Sequence, residues 1–324
     1  MDSLKNLPIK RHTSLISRFT GVRLPNVVQP NQARWIIFSE SLPVEVMSKV
    51  NQASDFKHSM IDAWNVGHYE VALLDGELTR KTEHALQAMN LDYADLSDVP
   101  DLSSPGVIVF DMDSTVIQVE CIDEIAKLAG VGEQVAEVTE KAMQGELDFE
   151  ESLRARVKAL TGADESILEQ VCQTLPLMPD LVALTNTLKS FGWKTAIASG
   201  GFTYFSDHLK QLLDLDFAKS NQLDIANGKL TGRVVGEVVS AQTKAEILVQ
   251  LAEQYGIEVQ NTVAVGDGAN DLDMMAVAGL GIAYHAKAKV EEQAQAAIRV
   301  SGLGGVMCIL SAGLVKNNKV SWTS

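Results

Sequence analysis

The stretch Val107-Ile-Val-Phe110, followed at once by Asp111-Met-Asp113-Ser-Thr115, says most about the fold. Its opening residues are all apolar, which is typical of a parallel β-strand that is covered on both faces of its sheet. Directly after them, two aspartates stand two positions apart. Because ligands of open α/β sheets bind beyond the carboxyl ends of the strands, we expect these aspartates to lie at the functional edge of a sheet.

Further short apolar segments along the chain have the same character, and helical patterns alternate with them. The predicted strands are Thr195-Ala-Ile-Ala198, Thr262-Val-Ala-Val265 and Leu280-Gly-Ile-Ala283. The predicted helices cover residues 180–190, 203–213, 243–255 and 271–278, and Asn227-Gly228 predicts a β-hairpin. This alternation predicts an α/β fold with a doubly wound parallel sheet.

One part of the chain breaks the alternation, because residues 120–174 show helical patterns almost throughout. The predicted helices there are 122–129, 134–143, 149–160 and 165–173. An insertion directly after the first strand lies above the carboxyl edge of the sheet, so we predict a helical cap over the site. The catalytic core then comprises residues 107–119 and 175–315, and residues 316–324 form a C-terminal tail.

The segment before the core predicts a second, smaller unit. Residues 34–96 show the order β-α-β-β-α-β, which is the pattern of a small α+β domain of the ferredoxin-like, split-βαβ type. Residues 1–33 are predicted to be irregular because several prolines interrupt a polar stretch. Residues 97–106 are rich in Pro, Ser and Gly and are predicted to be a linker.

Composition limits the class of protein. The 324 residues include 42 acidic and only 27 basic side chains, so the formal net charge is −15. A field of this sign repels nucleic acid, and we expect neither nucleic acid nor a membrane as a partner. The sequence shows no apolar run of about 18 residues and no convincing secretory signal. Three widely spaced cysteines suit a reducing cytoplasm, which is the expected location.

The residues that follow the predicted strands carry the chemistry. Asp111 and Asp113 follow one strand, and a third carboxylate, Asp267, arrives at the same edge from another strand. An oxygen-rich cluster without His or Cys suits Mg²⁺ better than zinc. Ser199-Gly-Gly201 is expected to open a helix and to offer backbone N–H groups to an anion. Lys244 lies in the first turn of a predicted helix, where the helix dipole disfavours a cation, so a nearby anion is expected.

These motifs resemble those of the haloacid dehalogenase-like superfamily, in the expected order: Asp111-x-Asp113-x-Thr115, Ser199, Lys244 and Gly266-Asp267-Gly-x-x-Asp271. The fuller strings, which include Glu120-Cys-Ile-Asp-Glu124 and Ser199-Gly-Gly-Phe202, are similar to its phosphoserine phosphatase family. The resemblance spans roughly residues 105–310. More weakly, residues 34–96 resemble a small-molecule-binding, ACT-like domain found on some bacterial forms.

The resemblance implies roles for the residues at the edge of the sheet. Asp111 is expected to attack phosphorus and form an aspartyl-phosphate, and Asp113 to act as general acid and then general base. Mg²⁺ is expected to be held by Asp111, Asp267 and the main-chain oxygen of Asp113. The remaining roles fall to two groups: Ser199, Gly200 and Lys244 hold phosphoryl oxygens, and Asn270 and Asp271 position the metal waters and Lys244.

The resemblance also implies that the cap selects the substrate, O-phospho-L-serine, in the last step of serine biosynthesis. Glu120 is expected to bind the ammonium group and Arg156 the carboxylate, since an arginine fork suits a carboxylate. Phe149 and Met143 are expected to close over the site. The nearby Arg154 should point to a different face, because residues two apart on a helix do not share one.

Other interpretations remain open at this point. A phosphotransferase or phosphomutase would use the same aspartyl-phosphate, with an alcohol in place of water. A different class is a ligand-sensing protein in which the N-terminal part binds an amino acid such as serine. The sequence leaves the oligomeric state open, with a homodimer as one option.

Overall fold

The computed structural model describes residues 6–12, 14–19, 30–143 and 146–320, apart from the side chains of Ile16 and Met143. The strands in chain order are β1 (Ile9–Arg11), β2 (Trp35–Ser39), β3 (Met60–Val66), β4 (Tyr69–Leu74), β5 (Asp92–Asp95), β6 (Val107–Phe110), β7 (Lys194–Phe202), β8 (Phe217–Ala226), β9 (Lys229–Val235), β10 (Thr262–Gly266), β11 (Leu280–Tyr284) and β12 (Ala296–Ile298).

The helices are α1 (Leu15–Arg18), α2 (Val46–Ala53), α3 (Arg80–Ala88), α4 (Cys121–Leu128), α5 (Gly132–Met143), α6 (Phe149–Ala159), α7 (Ser166–Cys172), α8 (Leu181–Ser190), α9 (Thr203–Leu213), α10 (Ala241–Tyr255), α11 (Leu272–Val277), α12 (Ala288–Glu291) and α13 (Gly304–Lys316). Within the described part of the chain, no helix combines the length and apolar character needed to cross a membrane.

The strands form one sheet with the order β1-β3-β4-β2-β5-β12-β11-β10-β6-β7-β8-β9. From β12 to β8 each strand runs parallel to its neighbours, which confirms the predicted doubly wound α/β core. From β1 to β5 the neighbours are antiparallel, and β5 pairs with β12 through Tyr93 and Ala297. The strand β6 lies between β10 and β7, so the residues that follow it emerge between two other loops.

The alternation of side chains along β6 explains why its sequence is apolar throughout. Ile108 and Phe110 pack into one core layer, and Val107 and Val109 pack into the layer on the opposite face of the sheet. All of them are buried, as expected for a parallel strand covered by helices on both sides. The carboxyl end of this rigid strand then delivers Asp111 to the edge of the sheet.

Residues 34–96, here called the N-terminal block, contain the predicted elements β2-α2-β3-β4-α3-β5. The strand order β3-β4-β2-β5 with antiparallel neighbours is that of a split-βαβ unit. Ile36 and Phe38 of β2, however, pack in the same core layer as Ile108 and Phe110. The block therefore shares both its sheet and part of its core with the catalytic half, and its independence as a domain stays a prediction.

The prediction that residues 1–33 are irregular is wrong for the described part of that segment. The short strand β1 pairs with β3, from Ile9 opposite Val66 to Arg11 opposite Trp64. Leu7 and Leu15 on either side of the strand are fully buried. The strand is too short and too polar to show an alternating pattern, so tertiary contacts rather than local preference determine it.

The sequence pattern does not predict the helix α13. Its residues from Gly304 to Val315 are all buried. The helix packs against α8 and against β2, β3 and β4 of the N-terminal block. A helix that is buried on every side carries no amphipathic pattern, which is why its sequence did not predict it.

The predicted linker, residues 97–106, connects β5 to β6 without regular structure but is held firmly in place. Leu102 is fully buried, and its carbonyl accepts a hydrogen bond from Trp193 Nε1 at 3.3 Å. Asn261 donates to the carbonyl of Pro105 at 2.8 Å and accepts from the N–H of Asp101 at 2.7 Å. The segment is thus part of the packed structure.

The cap consists of α4 to α7 and joins the core through two antiparallel segments, residues 114–119 and 175–179, which we call the cap hinge. Gln118 N–H donates to Pro176 O, and Met178 N–H donates to Val116 O, both at 2.9 Å. On its far side the cap is bound to the hairpin of β8 and β9. Gly162 N–H donates to Leu230 O at 2.8 Å, and Leu230 N–H donates to Ala163 O at 2.9 Å.

Candidate active site

The loop after β6 places two aspartates at the edge of the sheet. The N–H of Asp111 donates to Val265 O of β10 at 2.9 Å, so this residue still continues the sheet. Beyond it the chain turns sharply, with Ser114 in the left-handed region at φ 57°. The carbonyl of Met112 accepts from the N–H groups of Val116 and Ile117, which closes the turn. Asp111 and Asp113 both line the cleft between core and cap.

Lys244 lies at the centre of the site. Its side chain is completely buried, and its Nζ lies 2.7 Å from Asp111 Oδ1 and 2.7 Å from Asp271 Oδ1. Burial by itself would lower the pKa of Lys244, but the two carboxylates more than offset that effect and raise it. The prediction that an anion compensates this lysine is therefore confirmed, and the lysine is fixed as a cation.

Asp271 acts through Lys244 and the loop before it. Its Oδ1 accepts from Lys244, and its Oδ2 accepts from Gly268 N–H at 3.0 Å, so both carboxylate oxygens are already engaged. Burial and the neighbouring Asp111 raise the pKa of Asp271, and Lys244 holds part of that rise back. Gly266 makes this packing feasible, because a Cβ there would lie 2.4 Å from the carboxylate of Asp271.

Three carboxylates form a group that could hold a metal ion. One oxygen each from Asp111, Asp267 and Asp271 lie within 4.8 Å of one another. Burial, followed by the neighbouring charges of Asp111 and Asp271, raises the pKa of Asp267 to about 7. A cation would relieve the repulsion between these charges, and a donor set made only of oxygen suits a hard divalent ion. Thr115 Oγ1 donates to Asp267 Oδ1 at 3.3 Å and orients it.

Asp113 occupies a different environment from Asp111. Burial, followed by the charges of Glu120 and Asp111, raises the pKa of Asp113 well above its usual range. The N–H of Cys121, at the start of α4, donates to Asp113 Oδ1 at 3.3 Å. This environment favours the protonated carboxyl group, which can donate a proton.

Glu120 borders the cleft next to Asp113. The surrounding protein desolvates its carboxylate and raises its pKa, although part of the side chain still touches solvent within the cleft. Ser114 Oγ donates to Glu120 Oε1 at 2.9 Å, and the positive charge of Arg156 lies near enough to lower the pKa. Glu120 therefore lies where the loop after β6 meets the cap.

The segment Ser199-Gly200-Gly201 precedes the helix α9, which begins at Thr203 as predicted. The strand β7 is longer than predicted, because it runs to Phe202 and includes these residues. Ser199 Oγ accepts from Gly201 N–H at 2.9 Å. A Cβ on Gly201 would lie 2.9 Å from Asp113 Oδ2, so glycine gives the close approach to the aspartate. The segment lines the cleft next to Asp113.

The cap supplies one wall of the cleft. Asp148 caps α6 by accepting from Glu151 N–H at 2.8 Å, and the helix then begins with Phe149. A Cβ on Gly200 would lie 2.6 Å from Phe149 Cζ, so the ring lies directly over the backbone of that glycine. Arg156, two turns farther along α6, has its Nε buried without a hydrogen-bond partner among the described residues.

Arg154 points elsewhere, as predicted. Its Nη2 lies 2.7 Å from Glu150 Oε1 on the exposed surface of α6. The predicted site residue Met143 ends α5, but its side chain lies outside the described residues.

The cleft has a volume of about 830 Å³. The predicted residues that line it are Asp111, Asp113, Glu120, Phe149, Arg156, Ser199, Gly200, Asp267 and Asn270. Lys244 and Asp271 lie behind this surface, where Lys244 contacts Asp111 and Asp271 contacts Lys244. Segments far apart in sequence thus meet at one edge of the sheet.

Sequence reasoning missed Asn221, a residue of β8 that is 1% exposed. Its Nδ2 donates to Gly200 O, and its Oδ1 accepts from Val239 N–H, both at 2.8 Å. It thereby joins the segment that bears Ser199 to the segment that leads into α10 and Lys244. No sequence signal marks it, because a single Asn in a strand has no pattern of its own.

Comparisons with known proteins agree with this geometry. A family model described as haloacid dehalogenase-like hydrolase matches residues 105–279, and one described as a domain of unknown function (DUF5609) matches residues 31–95. The phosphoserine phosphatase of Vibrio cholerae serotype O1 is 62% identical over 324 residues, which cover 100% of this chain and 99% of that protein.

Solved structures show the same relationship. The crystal structure of a probable phosphoserine phosphatase from Vibrio cholerae, in unliganded form, aligns with a TM-score of 0.91 at 62% identity and 100% coverage of both chains. A phospho-aspartyl intermediate analogue of phosphoserine phosphatase aligns with a TM-score of 0.60 at 41% identity, over 63% of this chain and 98% of that chain. The motifs, the fold and these relatives agree, and the chain is an enzyme that belongs to the phosphoserine phosphatase family of haloacid dehalogenase-like hydrolases.

Proposed function

We propose that the enzyme hydrolyses O-phospho-L-serine to L-serine and phosphate through an aspartyl-phosphate on Asp111, as the last step of serine biosynthesis. The observation that carries the proposal is the contact of buried Lys244 with both Asp111 and Asp271, beneath a cleft that Asp113 and Asp267 also line. A fixed cation next to an aspartate at the end of a central strand suits phosphoryl transfer to that aspartate.

Asp111 is the proposed nucleophile. Lys244 binds its Oδ1, which leaves the other carboxylate oxygen for attack on phosphorus. The P–O bond to the serine oxygen breaks as the bond from Asp111 to phosphorus forms. Support comes from the relative whose structure is described as a phospho-aspartyl intermediate analogue.

Asp113 is the proposed acid and base. Its carboxyl group lies on the same loop as Asp111 and lines the same cleft. It protonates the leaving serine oxygen and then takes a proton from the water that hydrolyses the aspartyl-phosphate. Cys121 N–H at 3.3 Å stabilises the carboxylate that remains after the first transfer.

We propose Mg²⁺ as the cofactor, held by Asp111, Asp267 and the main-chain oxygen of Asp113. When bound, the ion offsets negative charge on the phosphoryl oxygens. Asp271 has both oxygens engaged by Lys244 and Gly268, which supports a role in positioning Lys244 rather than in direct ligation. Asn270 lines the cleft beside Asp267 and is proposed to order water around the ion.

The phosphoryl oxygens are proposed to meet Ser199, the N–H of Gly200 and Lys244. Ser199 and Gly200 line the same cleft as Asp113. Asn221 holds the carbonyl of Gly200 at 2.8 Å, and this contact helps to fix the peptide groups that face the phosphate. Groups that are already in position need not rearrange when negative charge develops on the phosphoryl oxygens.

Selection of the substrate is proposed to depend on the cap. Arg156 offers a buried Nε that finds no partner in the described part of the chain, and such a group is costly unless a ligand completes it. A carboxylate is the natural partner of an arginine fork. Glu120 provides a negative charge for the ammonium group, and Phe149 covers the backbone of Gly200 and excludes water. Met143 is proposed to share this covering role.

Hydrolysis is favoured over transfer to another alcohol, because the relatives that match over the whole chain are phosphatases. We propose that the enzyme acts in the cytoplasm on a free metabolite. The net charge of −15 argues against a nucleic acid as partner.

The test is phosphate release from a panel of phosphorylated metabolites, with and without Mg²⁺. We expect phosphoserine to be hydrolysed fastest, and activity to disappear when EDTA removes divalent ions and to return when Mg²⁺ is added. The variant Asp267→Asn should need far more Mg²⁺ for half-maximal rate. Asp273→Asn, an exposed carboxylate on the neighbouring α11, is the matched control and should behave as the wild type. A faster reaction with a phosphate ester that lacks amine and carboxylate groups would contradict the proposal.

A further inference from the structure

The cap hinge ends at a residue with an unusual conformation. Asp180 follows the hinge segment 175–179 and precedes α8, with φ at 64° in the left-handed region. An aspartate at this position normally caps its own helix, but the carboxylate of Asp180 makes no such hydrogen bond. Its side chain is directed instead towards the N-terminal block.

Tyr69 of β4 is the partner of Asp180. The Tyr69 hydroxyl donates to Asp180 Oδ2 at 2.5 Å and accepts from Gly302 N–H at 3.0 Å. Tyr69 is 1% exposed. Burial, and then the contact with Asp180, raise the pKa of Tyr69 far above its usual range, so the hydroxyl remains a donor. A second contact of Asp180, with His68 Nε2, is longer at 3.8 Å.

Two glycines make room for this pair. A Cβ on Gly302 would lie 2.9 Å from Asp180 Oδ2. A Cβ on Gly304, at the start of α13, would lie 2.5 Å from the ring of Tyr69. The backbone at Gly302 and Gly304 therefore approaches Tyr69 and Asp180 more closely than a residue with a Cβ would allow. The N–H of Leu303 also donates to Pro179 O at 3.2 Å, so the end of the hinge is held from two sides.

We propose that Tyr69 is a positioning residue for the reaction: through Asp180 it anchors the cap hinge to the N-terminal block, so that the cap closes with Arg156 and Phe149 in place over the cleft. The inference rests on the proposed function only for the identity of the substrate. It assigns the N-terminal block a mechanical role in catalysis that requires no ligand of its own.

The expected effect follows from the geometry of the hinge. Each of its two segments is bound to the other by backbone hydrogen bonds, so a shift of residues 175–179 also moves residues 114–119. Without the Tyr69 hydroxyl, the carboxylate of Asp180 keeps the longer contact with His68 among the described residues, and the end of the hinge is held less firmly. A smaller fraction of molecules then has the cap in the binding-competent position, and the apparent KM rises by the inverse of that fraction.

The test compares Tyr69→Phe with Tyr284→Phe in the full chain. Tyr284 is the matched control, because its ring is fully buried near Asp180 but its hydroxyl has no partner among the described residues. For Tyr69→Phe we expect the KM for phosphoserine to rise about 3- to 10-fold, with kcat within about twofold of the wild type. Hydrogen–deuterium exchange should speed up in residues 114–119 and 175–179. Tyr284→Phe should change neither quantity.

Two further variants keep the inference testable if Tyr69→Phe does not fold. Asp180→Asn retains an acceptor oxygen and tolerates the left-handed conformation, so KM and hinge exchange should stay near those of the wild type. Gly302→Ala places a Cβ close to the carboxylate of Asp180 and should disturb its contact with Tyr69. This variant should raise both the KM and the rate of hydrogen–deuterium exchange in the hinge. The inference is wrong if Tyr69→Phe or Gly302→Ala lowers the melting temperature but leaves KM and hinge exchange unchanged. It is also wrong if Tyr284→Phe has the same effects.

Failure of the proposed function would look different. A wild-type enzyme that does not hydrolyse phosphoserine would refute the substrate assignment. The exchange of the hinge peptides would still report whether Tyr69 anchors the cap.

Discussion

The two walls of the cleft are built in opposite ways. On the wall formed by the sheet, polar groups are paired within the protein: Lys244 contacts two carboxylates, and Asp271 has both oxygens engaged. On the wall formed by the cap, Arg156 has a buried Nε that finds no hydrogen-bond partner among the described residues, and Glu120 is exposed to the cleft. The buried lysine of the first wall is held by contacts within the protein, whereas we propose that the substrate completes the contacts of the second wall.

We expect this difference to separate the groups that act on the phosphoryl group from the groups that select the substrate. Groups that act on a phosphoryl group common to many substrates gain from rigid placement. Groups that recognise the rest of one substrate gain from being left unsatisfied until it binds, because every wrong ligand then leaves a buried donor unpaired. Changes on the sheet side should therefore affect all phosphate esters alike, and changes on the cap side should affect phosphoserine selectively.

The largest effect is expected for Asp111→Asn. Loss of a covalent nucleophile should lower kcat by about 10³-fold or more on every substrate. Phosphate release from phosphoserine and from p-nitrophenyl phosphate measures this directly. Folding should be preserved, and circular dichroism checks it. Near-native turnover with either ester would exclude Asp111 as the nucleophile.

Lys244→Met should damage both activity and stability. Activity should fall about 10²- to 10³-fold, as when a group that stabilises transition-state charge is removed. Because Asp111 and Asp271 would be left facing each other in a buried site, unfolding by urea should show a loss of about 3–5 kcal/mol. The double variant Lys244→Met with Asp271→Asn should recover much of the stability but none of the activity. Recovery of both would mean that the lysine is purely structural.

Arg156→Ala tests the cap side alone. We expect kcat/KM for phosphoserine to fall about 10- to 100-fold, which corresponds to loss of a charge-assisted hydrogen bond pair. The value for p-nitrophenyl phosphate, which has no carboxylate, should change less than about threefold on the same reasoning. Arg154→Ala, whose side chain pairs with Glu150 on the surface, is the matched control and should leave both unchanged. Equal losses of kcat/KM with phosphoserine and with p-nitrophenyl phosphate would contradict the proposed difference between the two walls.

The smallest effect is expected for Asn221→Asp. Aspartate keeps the acceptor for Val239 N–H but loses the donor to Gly200 O, so activity on all esters should fall about 10-fold as one hydrogen bond is lost near the phosphate. Asn261→Asp is the matched control, because Asn261 joins two backbone segments in the same manner at the linker, away from the cleft. It should leave kcat/KM unchanged. A comparable drop in activity for both variants would show that the loss reflects general destabilisation.

Local sequence patterns predicted most of the catalytic half of the fold, and the reason is physical. Wholly apolar runs such as Val107 to Phe110 and amphipathic helices such as α9 carry strong local signals. The helix α13 has no polar face to reveal it, and β1 forms only because β3 is available to pair with it. The continuity of the sheet through β5 and β12 depends on a single antiparallel pair, which no local pattern encodes.

In the candidate site, too, some features follow from the sequence motifs and others depend on tertiary contacts. Motif order predicted which residues would line the cleft, since strand ends meet at one edge of a sheet. It did not predict that Ser199 to Gly201 extend β7, because glycines suit a turn as well as a strand. Asn221 and Tyr69 contact residues distant in sequence, and only the folded chain shows these partners.

The pairing of β5 with β12 has a practical consequence for work on shortened forms of the enzyme. A chain that starts after residue 96 would present β12 as an open strand with unsatisfied backbone groups, and would expose α13 to water where β2 and β4 now cover it. Such edges promote self-association. Any search for a small molecule that binds the N-terminal block is therefore best made on the intact polypeptide, since neither half is expected to keep its shape when cut from the other.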